Sequence, residues 1–425
     1  MNFVEAMDFI HCTSWQGSRL GLERITELMA LLGDPQKHLK FIHVAGTNGK
    51  GSVCAMLSEI LSRAGYDTGL YTSPHLFRIN ERMKVNGADI SDGDLAEIAS
   101  EVAPAVAKMA DAPTEFERIT AMALLYFWKK HCDVVVLEVG LGGRLDSTNV
   151  IGAPEAAVIT HLALEHTEVL GDTLEKIAAE KAGIIKPGAD VVLAAQSTEA
   201  ETVVRQVCQD RGCALRVTDP AAETLRGCGL AGQTLDYRER KDLRLRLLGD
   251  YQYQNVSVVL DTVDVLRERR GYVIPETAVE QGLAEVSWPG RFEVLQKEPL
   301  VLVDGAHNPD GVSELVKCLS AYLPGKKITF VMGVMADKDY ADMIRMMQPF
   351  AKEFVAVTPQ SERALPAEEL RSKIETLTGL PARCGGDVKT GLALAMHGKG
   401  VGDIVCAFGS LYQVGEVRAY FGRTT

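Results

Sequence analysis

A glycine-rich segment with a single lysine follows a short apolar run near the start of the chain. The apolar run is Phe41–Ala45, and residues 46–52 read Gly-Thr-Asn-Gly-Lys-Gly-Ser. A strand, a glycine-rich turn and a helix point backbone N–H groups at an anion, and Lys50 would add a mobile positive charge for phosphates. The string departs from GxxxxGK[ST], because Val44 occupies the first glycine position and Ser52 comes two residues after Lys50. We predict a nucleotide-phosphate site here.

One carboxylate and one imidazole follow other apolar runs. Glu138 ends the run Val-Val-Val-Leu-Glu, near the carboxyl end of a predicted buried strand, where open α/β sheets bind ligands. An acidic residue in that position is a natural Mg²⁺ ligand. Residues 139–146 form a glycine-rich loop that carries Arg144 and Asp146. His166 follows a further predicted strand, and the residue pattern leaves open whether it is a metal ligand or a structural histidine.

Lys181 occupies an unusual place in a helical pattern. Residues 172–175 predict a helix start, with Asp172 as the N-cap and Glu175 placed to form the reciprocal hydrogen bond of a capping box. The apolar positions that follow are Leu174, Ile177 and Ala178, at spacings of i, i+3 and i+4. Lys181 continues the same face at i+7. A buried amine has a lowered pKa and can add carbon dioxide to form a carbamate, an extra carboxylate-like metal ligand. Alternatively, the stem covers the core and the ammonium reaches solvent; the spacing does not choose between them.

Apolar runs alternate with amphipathic stretches along most of the chain. This order predicts an α/β fold with a mostly parallel sheet, covered on both faces, in an N-terminal domain of the P-loop type. The pattern breaks near residues 288–291 and restarts, which predicts a smaller, Rossmann-like C-terminal α/β domain. We predict domains at 1–290 and 291–425, and a short antiparallel excursion at 219–247. The predicted strands are 41–45, 134–139, 157–160, 191–194, 300–303, 328–332, 354–357 and 404–407, with helices such as 52–64, 117–130 and 311–322.

The bulk composition excludes several classes of protein. The chain has 425 residues, of which 46% are hydrophobic and 24% charged, as in soluble globular proteins. A net charge of −12 and the absence of a basic stripe argue against nucleic acid as a partner. No apolar run is long enough for a membrane span, and residues 1–11 do not resemble a secretory signal. The nine cysteines form no CxxC pair, so we expect free thiols and a cytoplasmic location.

Short strings in a fixed order carry a resemblance to a known family. The chain resembles the folylpolyglutamate synthase and dihydrofolate synthase family, a branch of the Mur ligases. The strings cover nearly the whole chain: HVAGTNGKGS (43–52), YTSPHL (71–76), ERMKVNG (81–87), LEVGLGGRLDSTN (137–149), EHTEVLG (165–171), EKAGI (180–184), WPGRFE (288–293), DGAHNP (304–309) and GSLY (409–412). Three positions depart from the family pattern, namely Glu165, His161 and Tyr251, where Asp, Asn and His are usual.

The resemblance implies a role for each candidate residue. ATP would contact Asn48, Gly49, Lys50, Gly51, Ser52, Asn255, Arg291 and Asp304. Mg²⁺ would be bound by Ser73, Glu138, His166 and Lys181, the last matching the family's carbamylated lysine. The folate side would be lined by Phe116, Glu117, Arg144 and Asp146, and His307 and Ser410 would face the cleft from the C-terminal domain. The residues expected to take part in catalysis are Lys50, Lys181 and His307.

The resemblance also implies a reaction. ATP would phosphorylate a folate-linked carboxylate, and the amine of L-glutamate would attack the resulting acyl phosphate, in a protein that acts as a monomer. The nearest alternative is a dihydrofolate synthase acting on dihydropteroate, alone or together with the first activity. A cell-wall Mur ligase is a second alternative, against which the missing nucleotide-sugar domain before residue 40 argues. From another class, a nucleotide-gated binding protein without ligase activity would leave Lys181 and Glu138 unexplained.

Overall fold

The computed structural model describes residues 1–11 and 19–423. Its N-terminal part is built on an eight-stranded sheet, whose strands are β1 (Phe41–Ala45), β2 (Thr68–Tyr71), β3 (Met83–Val85), β4 (Ala88–Asp89), β5 (Val134–Glu138), β6 (Ala156–Ile159), β7 (Asp190–Leu193) and β8 (Ala214–Val217). The strand order is β4-β3-β2-β5-β1-β6-β7-β8. All neighbours from β2 to β8 are parallel, and β3 and β4 add an antiparallel edge. The predicted mostly parallel sheet is confirmed.

Helices cover both faces of this sheet. They are α1 (Phe3–His11), α2 (Glu23–Leu31), α3 (Lys50–Arg63), α4 (Asp92–Val106), α5 (Glu115–Lys129), α6 (Thr167–Leu170), α7 (Leu174–Lys181), α8 (Thr198–Arg211), α9 (Asp250–Arg270) and α10 (Glu276–Glu285). Because side chains alternate between the faces of a strand, Val134 and Val136 pack with α3, α9 and α10, whereas Val135 and Leu137 pack with α4 and α5. Buried on both sides, β5 holds Glu138 rigidly at its end.

Residues 223–245 form a separate antiparallel sheet of three strands, β9 (Glu223–Gly229), β10 (Gly232–Tyr237) and β11 (Arg240–Leu245). The predicted antiparallel excursion is thereby confirmed. This small sheet is joined to α9 by buried polar contacts, since Tyr237 Oη donates a hydrogen bond to Asp261 at 2.8 Å.

The C-terminal part is a six-stranded sheet, in which β12 (Glu293–Lys297) is followed by β13 (Leu300–Val303), β14 (Ile328–Met332), β15 (Ala351–Thr358), β16 (Ala382–Asp387) and β17 (Ile404–Phe408). Its order is β12-β13-β17-β14-β15-β16, and every pair except β12 with β13 is parallel. The flanking helices are α11 (Pro309–Tyr322), α12 (Tyr340–Met347), α13 (Ala367–Thr378), α14 (Val388–Met396) and α15 (Leu411–Tyr420). The mixed α/β class is confirmed, and the division at residue 290 stays a prediction.

Two smaller expectations have different outcomes. The predicted cap of α7 is wrong: Thr173, not Asp172, accepts the hydrogen bond from the Lys176 N–H, while the Asp172 carboxylate binds the Lys176 ammonium. The shorter threonine side chain, in extended backbone, reaches the helix end directly. The cysteines of the described ranges are free thiols, as predicted, and Cys12 lies outside those ranges. Within residues 1–11 and 19–423, no helix combines the length and the apolar character that a membrane span requires.

Candidate active site

The glycine-rich segment forms a turn between β1 and α3. Gly49 adopts φ 87°, and a Cβ there would lie 2.3 Å from Asn255 Oδ1, so only glycine fits. Thr160, directly after β6, donates a hydrogen bond from Oγ1 to the Asn48 carbonyl at 2.7 Å. The turn is therefore held between the end of β6 on one side and α9 on the other.

Lys50 is the first residue of α3, and its ammonium turns back over the loop. Its Nζ donates hydrogen bonds to the carbonyls of Gly46 at 2.9 Å and Thr47 at 3.1 Å. Ser52 is buried two residues further along, where its hydroxyl accepts a hydrogen bond from Gln252 Nε2 at 3.2 Å. A fixed positive charge therefore lies at a helix N-terminus, where the helix dipole also favours an anion.

A cavity of about 900 Å³ opens at the carboxyl ends of β1, β5 and β6 and reaches the C-terminal sheet. This edge is where open α/β sheets bind ligands. Residues from both halves of the chain line it, among them Asn48, Gly49, Lys50, Gly51, Ser52, Ser73, Glu138, His166, Asn255, Arg291, Asp304 and His307. Most of the residues predicted for nucleotide and metal are thus brought to one cavity by the fold.

Glu138 is a buried carboxylate at the end of β5. Its Oε2 accepts a hydrogen bond from the Ser73 backbone N–H at 2.9 Å. Burial raises the pKa of Glu138, and the positive charges of Lys50 and Arg291 oppose that shift. A carboxylate that is costly to keep ionised in a buried place is stabilised by a cation beside it, so this donor suits a hard divalent ion.

Lys181 is buried behind the phosphate loop. Its Nζ donates a hydrogen bond to the Gly46 carbonyl at 2.7 Å, and only 4% of the residue is exposed. Burial and the charge of Lys50 lower the pKa of Lys181 to about 7. The inward-facing position is confirmed, and the alternative in which the ammonium reaches solvent is wrong. The amine does not line the cavity in this structure, because it turns to the loop carbonyl.

The two candidate histidines differ in environment. The His166 side chain is 55% exposed, has φ 51°, and lies 4.0 Å from the Glu165 carboxylate. Among residues 1–11 and 19–423, no group of three or more His, Cys, Asp or Glu side chains is close enough to bind a metal. His307 is mostly buried, donates from Nδ1 to the Gly305 carbonyl at 2.8 Å, and has a pKa lowered by burial. Its other ring nitrogen, Nε2, is therefore left as a proton acceptor.

Arg291 lies in the segment that leads into the C-terminal sheet, and Asp304 holds that segment in place. The two oxygens of Asp304 accept hydrogen bonds from the backbone N–H groups of Phe292 and Ala306, each at 2.7 Å. Burial raises the pKa of Asp304 above its ordinary value, and the adjacent positive charge of Arg291 opposes part of this shift. The carboxylate thus fixes the backbone that carries Arg291 into the cavity.

Two residues predicted to contact folate are paired elsewhere. Glu117 is 1% exposed, and its Oε2 accepts hydrogen bonds from Arg24 at 3.0 Å and from the Thr114 N–H at 2.7 Å. Arg144 forms an ion pair with Glu180 at 2.8 Å on the surface. Neither lines the cavity, because a helix cap and a neighbouring helix engage these charged groups, and their contacts with folate stay predictions.

Three further residues also lie outside the cavity. Phe116 packs beside Tyr71 and beneath Gly140, and Asp146 accepts backbone hydrogen bonds from Leu141 at 2.8 Å and from a 3₁₀ turn. Ser410 is buried and caps α15, accepting from the Tyr412 N–H at 3.1 Å. The Asp146 carboxylate and the Ser410 hydroxyl hold backbone N–H groups, and Phe116 packs against its neighbours. None of the three lines the cavity, and their contacts with substrate stay predictions.

The cavity is also lined by residues that had no predicted role. Leu76, Glu81, Lys84, Glu223 and Arg418 line it. Glu81 belongs to the string ERMKVNG, which was a signal without an assigned chemistry. Lys84 belongs to the same string and Leu76 to YTSPHL, whereas Glu223 at the start of β9 and Arg418 of α15 are marked by no local pattern. The three departures from the family pattern also line the cavity: His161, Glu165 and Tyr251.

Comparison with sequence families matches two successive parts of the chain. Residues 44–263 match the Mur ligase middle domain, and residues 290–411 match the Mur ligase, glutamate ligase domain. Two α/β parts that meet at a cavity with a glycine-rich loop therefore define a ligase of the Mur type.

Individual relatives narrow the assignment. The chain is 35% identical over 426 residues to the dihydrofolate synthase/folylpolyglutamate synthase of Bacillus subtilis, covering 98% of each protein. A folylpolyglutamate synthase structure from Thermotoga maritima superposes with a TM-score of 0.89 at 31% identity, over 100% of this chain and 97% of that one. An Escherichia coli FolC structure in complex with DHPP and ADP gives 0.86 at 29% identity, over 99% and 98%. The chain belongs to the family of dihydrofolate and folylpolyglutamate synthases.

Proposed function

We propose that the chain is an ATP-dependent ligase that joins L-glutamate to the γ-carboxylate of a reduced folate. The observation that carries the proposal is the single cavity in which Lys50 and Glu138 of one domain face Arg291 and His307 of the other. A reaction between three substrates needs such a meeting place. The ADP in the E. coli relative's structure supports ATP as one of them.

The proposed reaction has two chemical steps. A carboxylate oxygen attacks the γ-phosphorus of ATP, the bond to the bridging oxygen breaks, and ADP leaves an acyl phosphate. The glutamate amine then attacks the acyl carbon, loses a proton, and phosphate departs as the amide forms. Lys50 offsets negative charge on the transferred group. A second domain that holds the amine in reach can supply as much as about 7–11 kcal/mol, and it also excludes water from the acyl phosphate.

His307 is proposed to take the proton from the glutamate ammonium. Its Nδ1–H is engaged by the Gly305 carbonyl, and burial lowers its pKa, so the ring is neutral with Nε2 ready to accept. A neutral amine is the attacking form in amide synthesis. This assignment places proton acceptance on the C-terminal domain, opposite the phosphate loop.

Mg²⁺ is the metal that fits the donor set. Ser73, Glu138 and His166, with a carbamate on Lys181, would bind it. The fit rests on the buried Glu138 carboxylate, which lines the cavity beside the phosphate loop and whose ionised form an added cation would stabilise. When bound, Mg²⁺ neutralises phosphate oxygens and orients the triphosphate.

A second candidate function is dihydrofolate synthesis, in which glutamate is joined to dihydropteroate. The B. subtilis relative, matched along 98% of its length, carries both activities in its name. Both reactions activate a carboxylate and add the same amine, so one site suffices.

We propose further that the protein acts as a cytoplasmic monomer. Light scattering of the purified chain at micromolar concentration tests the oligomeric state.

The test is mass spectrometry of products formed with ATP, Mg²⁺ and glutamate, using tetrahydrofolate or dihydropteroate as acceptor. A glutamylated product from the first acceptor supports the main proposal, and one from the second supports the alternative. Lys50→Met is expected to abolish product formation, whereas Lys373→Met, at an exposed lysine of α13, leaves it unchanged. Release of ADP that requires neither acceptor nor glutamate would contradict the scheme.

A further inference from the structure

Residues 76–78, which we call the latch, belong to the N-terminal part of the chain but pack against the C-terminal part. Leu76 contacts a C-terminal apolar cluster that includes Leu295, Val303, Val414 and Val417. It lines the cavity at the same time. A side chain from one domain that is packed into the core of another fixes the distance between them.

The latch is held by one carboxylate. Glu81 accepts three hydrogen bonds from consecutive backbone N–H groups, those of Leu76 at 2.7 Å, Phe77 at 2.8 Å and Arg78 at 2.7 Å. Hydrogen bonds to an ionised acceptor are stronger than neutral ones, and three together define one loop conformation. Phe77 is half exposed, so apolar burial of its side chain does not account for the shape of the loop.

Helix α15 of the C-terminal domain approaches the latch without any free space. A Cβ on Gly415 would lie 2.4 Å from the Leu76 carbonyl oxygen and 3.3 Å from Phe77 Cα. A Cβ on Gly290 would likewise lie 2.7 Å from Val414 Cγ1 and 3.5 Å from Leu76 Cδ1. Since real Cβ contacts do not come so close, backbone meets backbone here.

An ion pair ties the same helix to the segment between the domains. Arg418 of α15 lies 3.2 Å from the Glu293 carboxylate, which also accepts a hydrogen bond from the Gly290 N–H at 2.9 Å. Arg418 lines the cavity, as do Leu411 at the start of α15 and Glu81 itself. The latch, the interdomain segment and α15 thus form one junction at the edge of the site.

We infer that Glu81 is a positioning residue. By holding the latch, it determines the position of α15, and this position sets the distance at which the C-terminal domain presents the glutamate amine to the acyl phosphate. The inference rests on the proposed function. If this position is lost, the first chemical step is affected less than the second, because Lys50 and Glu138 lie on the N-terminal domain and only Arg291 and Asp304 of the proposed nucleotide contacts lie on the C-terminal one. The second step then loses the competition with water, which attacks the acyl phosphate and returns the original carboxylate and free phosphate.

The test measures ADP released per glutamylated product. The purified protein should give a ratio near one. Gly415→Ala inserts a methyl group at the Leu76 carbonyl and displaces α15 by an amount on the order of 1 Å, enough to slow a positioned reaction by about 10²-fold. We expect product per ADP to fall by about tenfold or more in Gly415→Ala and Leu76→Ala. Glu81→Gln, which keeps the size and one acceptor oxygen, falls less than Glu81→Ala.

The matched control is Gly400→Ala, a glycine of the same domain where an added Cβ meets nothing within 4 Å. It should keep the wild-type ratio. Loss of stability alone would lower ADP and product together and leave their ratio at one, so a ratio near one in all folded latch variants overturns the inference. If Gly415→Ala does not fold, Leu76→Ala and Glu81→Gln decide. If the wild-type protein makes no glutamylated product at all, the proposed function fails instead, independently of the latch.

Discussion

The buried amine of Lys181 permits a quantitative prediction about stability. Burial lowers its pKa from 10.5 to about 7, so the folded state releases a proton that the unfolded chain keeps. Below about pH 7 both states are protonated and the folded state bears the full cost of a buried charge. A difference of about 3.5 pKa units corresponds to about 5 kcal/mol, taken as an upper figure. Between pH 7 and 10.5 the unfolded state binds more protons, so stability rises with pH.

Lys181→Met removes this cost while keeping most of the apolar stem. The Gly46 carbonyl loses one donor but retains the Lys50 ammonium at 2.9 Å. Loss of the hydrogen bond should therefore lower the free energy of unfolding by about 1 kcal/mol. In buffer free of bicarbonate, the methionine variant should therefore be more stable than wild type by about 3–4 kcal/mol near pH 6. The advantage should shrink steadily as pH rises from about 7 towards 10.5.

The assay is denaturant unfolding of both proteins across this pH range, followed by a probe in the N-terminal domain. Exposed Lys373→Met serves as the control for loss of one surface charge. Bicarbonate should stabilise wild type but not Lys181→Met, because only the amine can become a carbamate. Parallel pH curves for wild type and Lys181→Met, or a difference that grows with pH, would refute the assignment of Lys181 as a buried amine of low pKa.

Three other predictions concern groups around the site. Burial lowers the pKa of His43 to about 3, so stability falls as pH drops from 6.5 towards 3; His43→Gln should flatten that loss by about 2 kcal/mol at pH 5, as acid unfolding will show. Thr160→Val removes the hydrogen bond to the Asn48 carbonyl and should weaken ATP binding by about 1–3 kcal/mol, measured by calorimetry. The KM for glutamate should stay unchanged, and an unchanged ATP affinity would refute the prediction. Glu117→Gln breaks a buried ion pair with Arg24 and should lower the free energy of unfolding by about 3–5 kcal/mol, measured in urea. A raised KM for folate with unchanged stability would instead support a contact between Glu117 and the substrate.

The phosphate loop and Lys181 were predictable because their information is local. The order of β1, the glycines and α3 lies within neighbouring residues, and the spacing of a helix decides which face Lys181 occupies. Glu138 followed from the same rule, since strand ends meet at one edge of a parallel sheet. The resemblance of the ordered strings supplied the family, which the family matches bear out.

The predicted folate-side residues and Ser410 lie outside the cavity because other groups engage them. Glu117 meets Arg24, Arg144 meets Glu180, and Asp146 holds a nearby turn, pairings that periodicity does not encode. Ser410 likewise caps a helix rather than facing the cavity.

The sequence alone determined that a lysine-bearing glycine loop precedes a helix, that Lys181 points inward, and that two α/β units follow each other, because short-range periodicity and turn chemistry specify each of these. Tertiary structure alone decided that Leu76 packs beside Gly415 and that Glu81 holds it there. Residues separated by hundreds of positions acquire a relation only when folding closes the chain, and backbone contact distances are settled by packing, which no local pattern records.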